Sequence, residues 1–166
     1  MDLTDLVAPF ERDATPLLRT DFSDDAAWLR VVEEVRRPVL FDGSPYGPYE
    51  PDVATFDSRD LDGVTAESLA RDLADLPDVR GYVLLADARA MTEAQGSGEI
   101  TVVYVDLSVT DDEDAELFHT FLGRSFRCVV PELASIEANL SIANMDFSDF
   151  ADSVADDGVF RGFPPG

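Results

Sequence analysis

Apolar and polar positions alternate along this chain in short blocks of extended and helical period, separated by turn formers. Pro16-Leu17-Leu18-Arg19-Thr20-Asp21 reads as the first strand. Ser23 or Asp24 follows as a helix cap, because a short side-chain oxygen there accepts from the free amides of a first turn. Trp28, Val31, Val32 and Val35 then recur along one helix face, and Pro38 ends the helix. Val53 to Phe56 is a short strand. Thr65 caps a second helix with Leu69, Ala70, Leu73 and Leu76 as its apolar face and Pro77 as its stop.

Gly81 to Asp87 is a continuous apolar run between turn signals, the pattern of a strand covered on both faces. Ile100 to Leu107 is the next strand. The segment between them is short for a parallel crossover, and its Gly96-Ser97-Gly98 end does not favour helix, so the two strands are expected to run antiparallel. Thr110 to Asp114 precedes Leu117, Phe118, Phe121 and Leu122 on a further helix. Phe126 to Val130 is expected to be the last strand, and Pro131 starts a short helix carrying Leu133, Ile136 and Leu140. Asn139 to Phe163 organises the rest: Phe147, Phe150, Ala151 and Val154 lie at helical spacing, with Asn144 or Asp146 as the start and Gly158 as the stop.

These elements predict a single domain of α/β or α+β type, a mixed sheet of about four to five strands with helices packed on it. Residues 1–15 form an N-terminal tail or short helix, 16–163 the domain, and 164–166 a C-terminal tail. A Pro/Tyr/Gly loop at 41–51 interrupts the domain, and its Tyr46 and Tyr49 offer amphipathic contact area. With 166 residues, 45% of them hydrophobic, the chain is large enough to bury a core without metal or disulfide.

Charge changes the picture most. The net charge is −23 and every basic residue is Arg. Codon bias in a high-GC genome and salt adaptation explain this composition without function; an acidic face selected for a basic protein partner explains it with function. Nucleic acid is disfavoured by the lack of a basic stripe, and anionic membrane surfaces by the same reasoning. No run approaches the roughly 18 apolar residues of a membrane span. The one cysteine, Cys128, lies in an apolar strand, which suits a reducing cytoplasm.

Two blocks carry a resemblance. Leu18-Arg19-Thr20-Asp21-Phe22-Ser23-Asp24-Asp25-Ala26-Ala27-Trp28, and Asn139 to Phe147 with Asp157-Gly158-Val159-Phe160-Arg161-Gly162-Phe163, resemble an uncharacterised family of small acidic actinobacterial proteins, a domain of unknown function. The resemblance implies no activity, cofactor or partner.

Candidate chemistry is sparse. Carboxylates at the strand ends, Asp21, Asp87 and Asp106 with Asp24 and Asp25, would gather around Mg²⁺ if all three strands were parallel, but an antiparallel pair sends Asp106 to the opposite edge. Cys128 and the single histidine, His119, make a poor catalytic pair, because a thiol in a buried strand is inert. No cofactor, metal or catalytic residue is expected. Asp111, Asp112, Glu113 and Asp114 complement a helix N-terminus and, with Tyr46 and Tyr49, are the expected partner-binding residues. Asp21, Asp24, Asp25, Asn139, Asn144, Asp146 and Arg161 form either a pocket or a structural polar cluster, with Arg161 expected to pair with Asp21 or Asp24. The leading expectation is a non-enzymatic interaction domain, an immunity-type inhibitor or regulatory adaptor. A small-molecule or metal-dependent enzyme and a salt-adapted housekeeping domain are the alternatives.

Overall fold

The computed structural model describes residues 2–41, 45, 47–74, 76, 81–109, 111–117 and 120–164. Its strands are β1 Thr15–Arg19, β2 Val53–Phe56, β3 Tyr82–Ala86, β4 Thr101–Asp106, β5 Ser125–Val129 and β6 Val159–Phe160, in the sheet order β2-β1-β3-β4-β5-β6. β1 runs parallel to β2 and to β3. β4 is antiparallel to β3 and to β5, as the sequence led us to expect for 81–87 against 100–107, and β6 returns parallel to β5.

The helices are α1 Val7–Glu11, α2 Asp25–Val35, α3 Ala66–Leu73, α4 Ala88–Gln95, α5 Asp112–Leu117, α6 Leu133–Ser141 and α7 Phe147–Ala151. They cover both faces of the sheet. Leu17, Leu84, Val102, Tyr104, Phe126 and Cys128 point to one face, where α2, α4, α6 and α7 lie. Leu18, Val83, Leu85 and Val105 point to the other, against Leu6 and α3. The crossovers β1-α2-β2 and β2-α3-β3 move in opposite directions across the sheet, so one handedness puts their helices on opposite faces. The continuous apolar run at Val83–Ala86 is buried throughout because both faces are covered.

Helix ends are set locally. Asp24 accepts from the amides of Ala26 and Ala27 at 2.8 and 3.0 Å, Thr65 and Ser68 form a reciprocal capping box, and Asp87 accepts from the Ala90 amide at 3.1 Å. At the other end of α6 the Asn144 amide donates to the Asn139 carbonyl at 3.0 Å and the Ala143 amide to the Leu140 carbonyl at 3.2 Å. This pair of bonds needs a left-handed residue, and Ala143 supplies it with φ 50° where glycine is usual. Ile142, just before it, is thereby held outward.

Three expectations are corrected. β5 is not the last strand: Val159 and Phe160 add β6 beside Arg127 and Cys128. The final helix stops at Ala151, and Gly158, at φ 76°, closes the turn before β6 instead of ending that helix. Phe121 and Leu122 lie outside α5 instead of on its apolar face. Before Thr15 the short helix α1 forms, and Leu6 is fully buried on α3's face of the sheet. Tyr46, His119, Thr110, Phe118 and Pro77 lie outside the described residues.

Candidate functional site

The carboxyl ends of the parallel strands β1, β2 and β3 are where open α/β sheets usually place ligands. Arg19 occupies that edge, only 3% exposed. Its guanidinium donates to Asp25 at 2.7 Å, to Asp57 at 3.2 Å and to the Asp21 carbonyl at 3.1 Å, and it lies 4.4 Å from the Phe22 ring centroid. The acids expected at this edge are also engaged. Asp21 accepts from the Ser23 amide and hydroxyl, Asp24 caps α2, and Asp87 caps α4 while pairing with Arg127. The amides that bond Asp24 hold its carboxyl below its ordinary value. Asp106 pairs in register with Tyr82, at the opposite end of the sheet from Asp87. Among the described residues no group of three or more His, Cys, Asp or Glu is placed to hold a metal ion.

The remaining expected site residues do not join this edge. Asn139 donates to the Ser135 carbonyl at 2.8 Å and accepts from the Asn144 amide group at 2.7 Å, tying the end of α6. Asp146 caps α7 in a box with Asp149. Arg161 pairs with Glu99 at 3.0 Å and with Asp157 at 2.7 Å, not with Asp21 or Asp24, because β6 docks on the far side of the sheet from β1. Those hydrogen bonds to Arg161 hold Asp157 down to about 2. Asp111 accepts from the Asp114 amide at 2.7 Å in the first turn of α5, and Asp112 borders a depression on the face that also carries Val103. Tyr49 sits on the opposite face, so the acids of α5 and this tyrosine form no common surface.

A cavity of about 590 Å³ opens at the amino ends of β1 and β3, on the face covered by α6. Thr15, the first residue of β1, and Tyr82, the first of β3, stand at its wall because both share the period-two face of Leu17 and Leu84. Tyr104 of β4 lies behind, its ring 5.6 Å from Tyr82 and 5.6 Å from Phe126, so the back wall continues into the aromatic core. Glu137 reaches in from α6. It is the one carboxylate on that helix's inner side, between Ile136 and Leu140 in sequence.

Among the described residues Glu137 has two partners, both neutral hydroxyls. Thr15 Oγ1 donates to one oxygen at 2.7 Å and Tyr49 Oη to the other at 3.4 Å. Burial raises the Glu137 carboxyl above its ordinary value, and the two hydroxyls only partly offset that. Tyr49 is raised by burial and then by the Glu137 charge, and Tyr104 is raised well above its ordinary value by burial. Among the described residues no Arg pairs with Glu137. At the mouth, Ile142 is 74% exposed, Tyr49 40% and Phe41 37%, an apolar rim around an acid. The backbone bridge between Val39 and Tyr49 positions the last two, whose rings lie 6.2 Å apart.

Of the expected site residues that the structure describes, Tyr49 is the one that lines this cavity. Glu137 passed unnoticed, although a carboxylate flanked by Leu133, Ile136 and Leu140 on the inner side of a helix is a local signal of a buried acid.

No helix among the described residues is long and apolar enough to cross a membrane. No curated protein and no solved structure matches the chain. One family model matches residues 14–163, which takes in β1 through β6 and the lining of the Glu137 cavity except Phe10 and Asp13. The chain therefore belongs to the family described as Domain of unknown function (DUF6924).

Proposed function

We propose that this domain is a non-catalytic interaction module, an inhibitor or adaptor that docks a basic protein at the mouth of the Glu137 cavity. The carrying observation is a partly buried carboxylate that meets no cation among the described residues, ringed by exposed Phe41, Tyr49 and Ile142. An apolar ring around a desolvated polar centre is the anatomy of a binding hot spot. The surrounding charge of −23 steers a basic partner toward it, and the acids of α5 contribute to that field without belonging to the contact. Asp21, Asp24 and Asp87 offer little to a reaction, since their oxygens are bound by protein donors. The buried Cys128, whose thiol burial raises further, suits life in a reducing cytoplasm.

Amide NMR of the full chain titrated with a lysine-rich peptide tests the reading. Shifts that persist at Thr15, Tyr49 and Ile142 when about 1 M salt shortens the Debye length to about 3 Å support docking at the mouth. Shifts spread over acidic residues such as Asp112 and Asp114, and lost together in salt, would reduce the protein to a diffuse polyanion.

A further inference from the structure

Resting on the docking reading, we infer that the Glu137 cavity takes an alkylammonium group, the end of a lysine side chain, with its nitrogen at the Glu137 carboxylate and its stem along Tyr82. Four observations converge on this chemistry.

The first is the missing counter-ion. Arg19, Arg37, Arg71, Arg89, Arg124, Arg127 and Arg161 each pair with another acid. Arg30 and Arg36 bond main-chain carbonyls at 2.8 and 2.9 Å, Arg59 lies over the Phe22 ring, Arg12 forms no ion pair with Glu137, and Arg80 lies outside the described residues. Among the described residues Glu137 receives only hydroxyls, which offset the burial of its charge only in part. A group held at an energetic disadvantage inside a cavity marks a site for an external charge.

The second is the wall. Phe41, Tyr49 and Tyr82 border the space with their rings, and a cation held over ring faces gains about 0.5–2 kcal/mol, more where water is excluded. The third is room. A space of about 590 Å³ holds an extended four-carbon stem, whose methylenes match the apolar lining of Ala134, Ala138 and Leu140.

The fourth is the geometry of acceptance. Each carboxylate oxygen of Glu137 already takes one hydroxyl proton, Thr15 on one and Tyr49 on the other. Separate remaining lone pairs suit the independently rotating donors of an ammonium better than the fixed fork of a guanidinium. Occupation should be favoured as pH rises, because the ammonium binds the ionised acid. The other titratable groups facing Glu137 are Tyr49, Tyr82, Tyr104 and Cys128, all raised by burial and neutral over that range, with Asp13 at the rim.

The experiment is calorimetry and amide NMR on the full chain with n-pentylammonium, with n-pentanol as the neutral control, against the wild type and Glu137→Gln. The expected result is one saturable site for the ammonium and none for the alcohol, weakened by about 10–100-fold in Glu137→Gln. A second readout keeps the test sound if that variant folds poorly: the carboxyl carbon of Glu137 in the wild type should titrate at lower pH once ammonium is added. Equal binding by both proteins, equal binding of pentanol, or an unmoved Glu137 titration would overturn the inference. Lysine-peptide shifts that remain at the mouth without ammonium binding would end this inference and leave protein docking standing. Glu137-dependent ammonium binding without peptide shifts would uphold the chemistry and defeat the docking reading.

Discussion

The two ends of the parallel strands treat their acids in opposite ways. At the carboxyl end, Asp24, Asp25, Asp57 and Asp87 each meet a backbone amide or an arginine, and the buried Arg19 is matched by carboxylates and a carbonyl. At the amino end, Glu137 is partly buried between neutral hydroxyls, and burial disfavours its charge. An acid that the fold has matched stabilises the fold. One kept charged against its surroundings must be retained for another reason, since a neutral isostere would serve the fold better. The usual expectation for α/β sheets places ligands at the first end, and here the charge balance favours the second.

The sharpest way to break the contrast is at Arg19. Arg19→Ala removes a side chain packed against Phe22 and Trp28 and leaves a void at the strand edge. We expect a loss of about 3 kcal/mol, which for a chain of this size lowers Tm by about 6–12 °C. Denaturant melts with an unchanged midpoint would show that the carboxyl end is not a structural node. Next in size is Asp87→Ala, which removes the α4 cap and leaves Arg127, itself largely buried, with Thr101 as a remaining partner at 3.0 Å. A loss of about 1–2 kcal/mol is expected from thermal or urea melts, with no effect on amine or peptide binding at the other end.

Much of the carboxyl end was legible in the sequence because its signals are local. Asp24 stands just before an apolar period, Thr65 before another, and the run Tyr82–Ala86 needs no distant information to be read as a covered strand. The antiparallel direction of β4 was read from the glycine-rich end of its connection, whereas α4, which fills the rest of that connection, went unread. β6 was not legible, since two residues carry no period of their own and pair only because α6 and α7 return them to β5. Arg161 was misassigned for the same reason: which of many acids it meets depends on the strand order, and that puts Glu99 beside it and Asp21 across the sheet. The cavity needs β1, β3, β4, α6 and the Val39–Tyr49 bridge together, so only Tyr49 and the odd position of Glu137 were available in advance.

A third prediction reverses the sign. Glu137→Gln keeps the shape and the Thr15 contact while removing the buried charge, so it should raise Tm by a few degrees near neutral pH. Burial raises the folded-state value above the ordinary 4.5, so between those values the folded protein holds a proton that the unfolded chain has lost, and stability falls as pH rises through that interval. Wild type and variant should therefore melt alike below about pH 4.5 and diverge above it. A variant less stable than wild type at pH 8 would mean that Glu137 is an ordinary structural acid, and the contrast between the two ends would collapse.

The smallest effect separates matched acids from each other. Asp157 is about half exposed, and Arg161 and the Val159 amide hold its carboxyl down from 3.8 to about 2. Since the folded value lies below the unfolded one, its contribution is complete above about pH 4 and disappears as pH falls toward 2. Glu99 is lowered in the same direction, first by its own bond to Arg161. Solvent screens such a pair, so the global melt should barely register its loss. The local readout is hydrogen exchange at the Val159 and Phe160 amides, which should lose protection in that acid window while β3 amides stay protected; Arg161→Ala should show the same loss already at neutral pH. Protection of β6 that ignores both pH and Arg161 would assign its docking to Phe150 and Phe163 around Phe160, whose rings lie 5.4 and 5.1 Å away, and to the backbone pairing with β5.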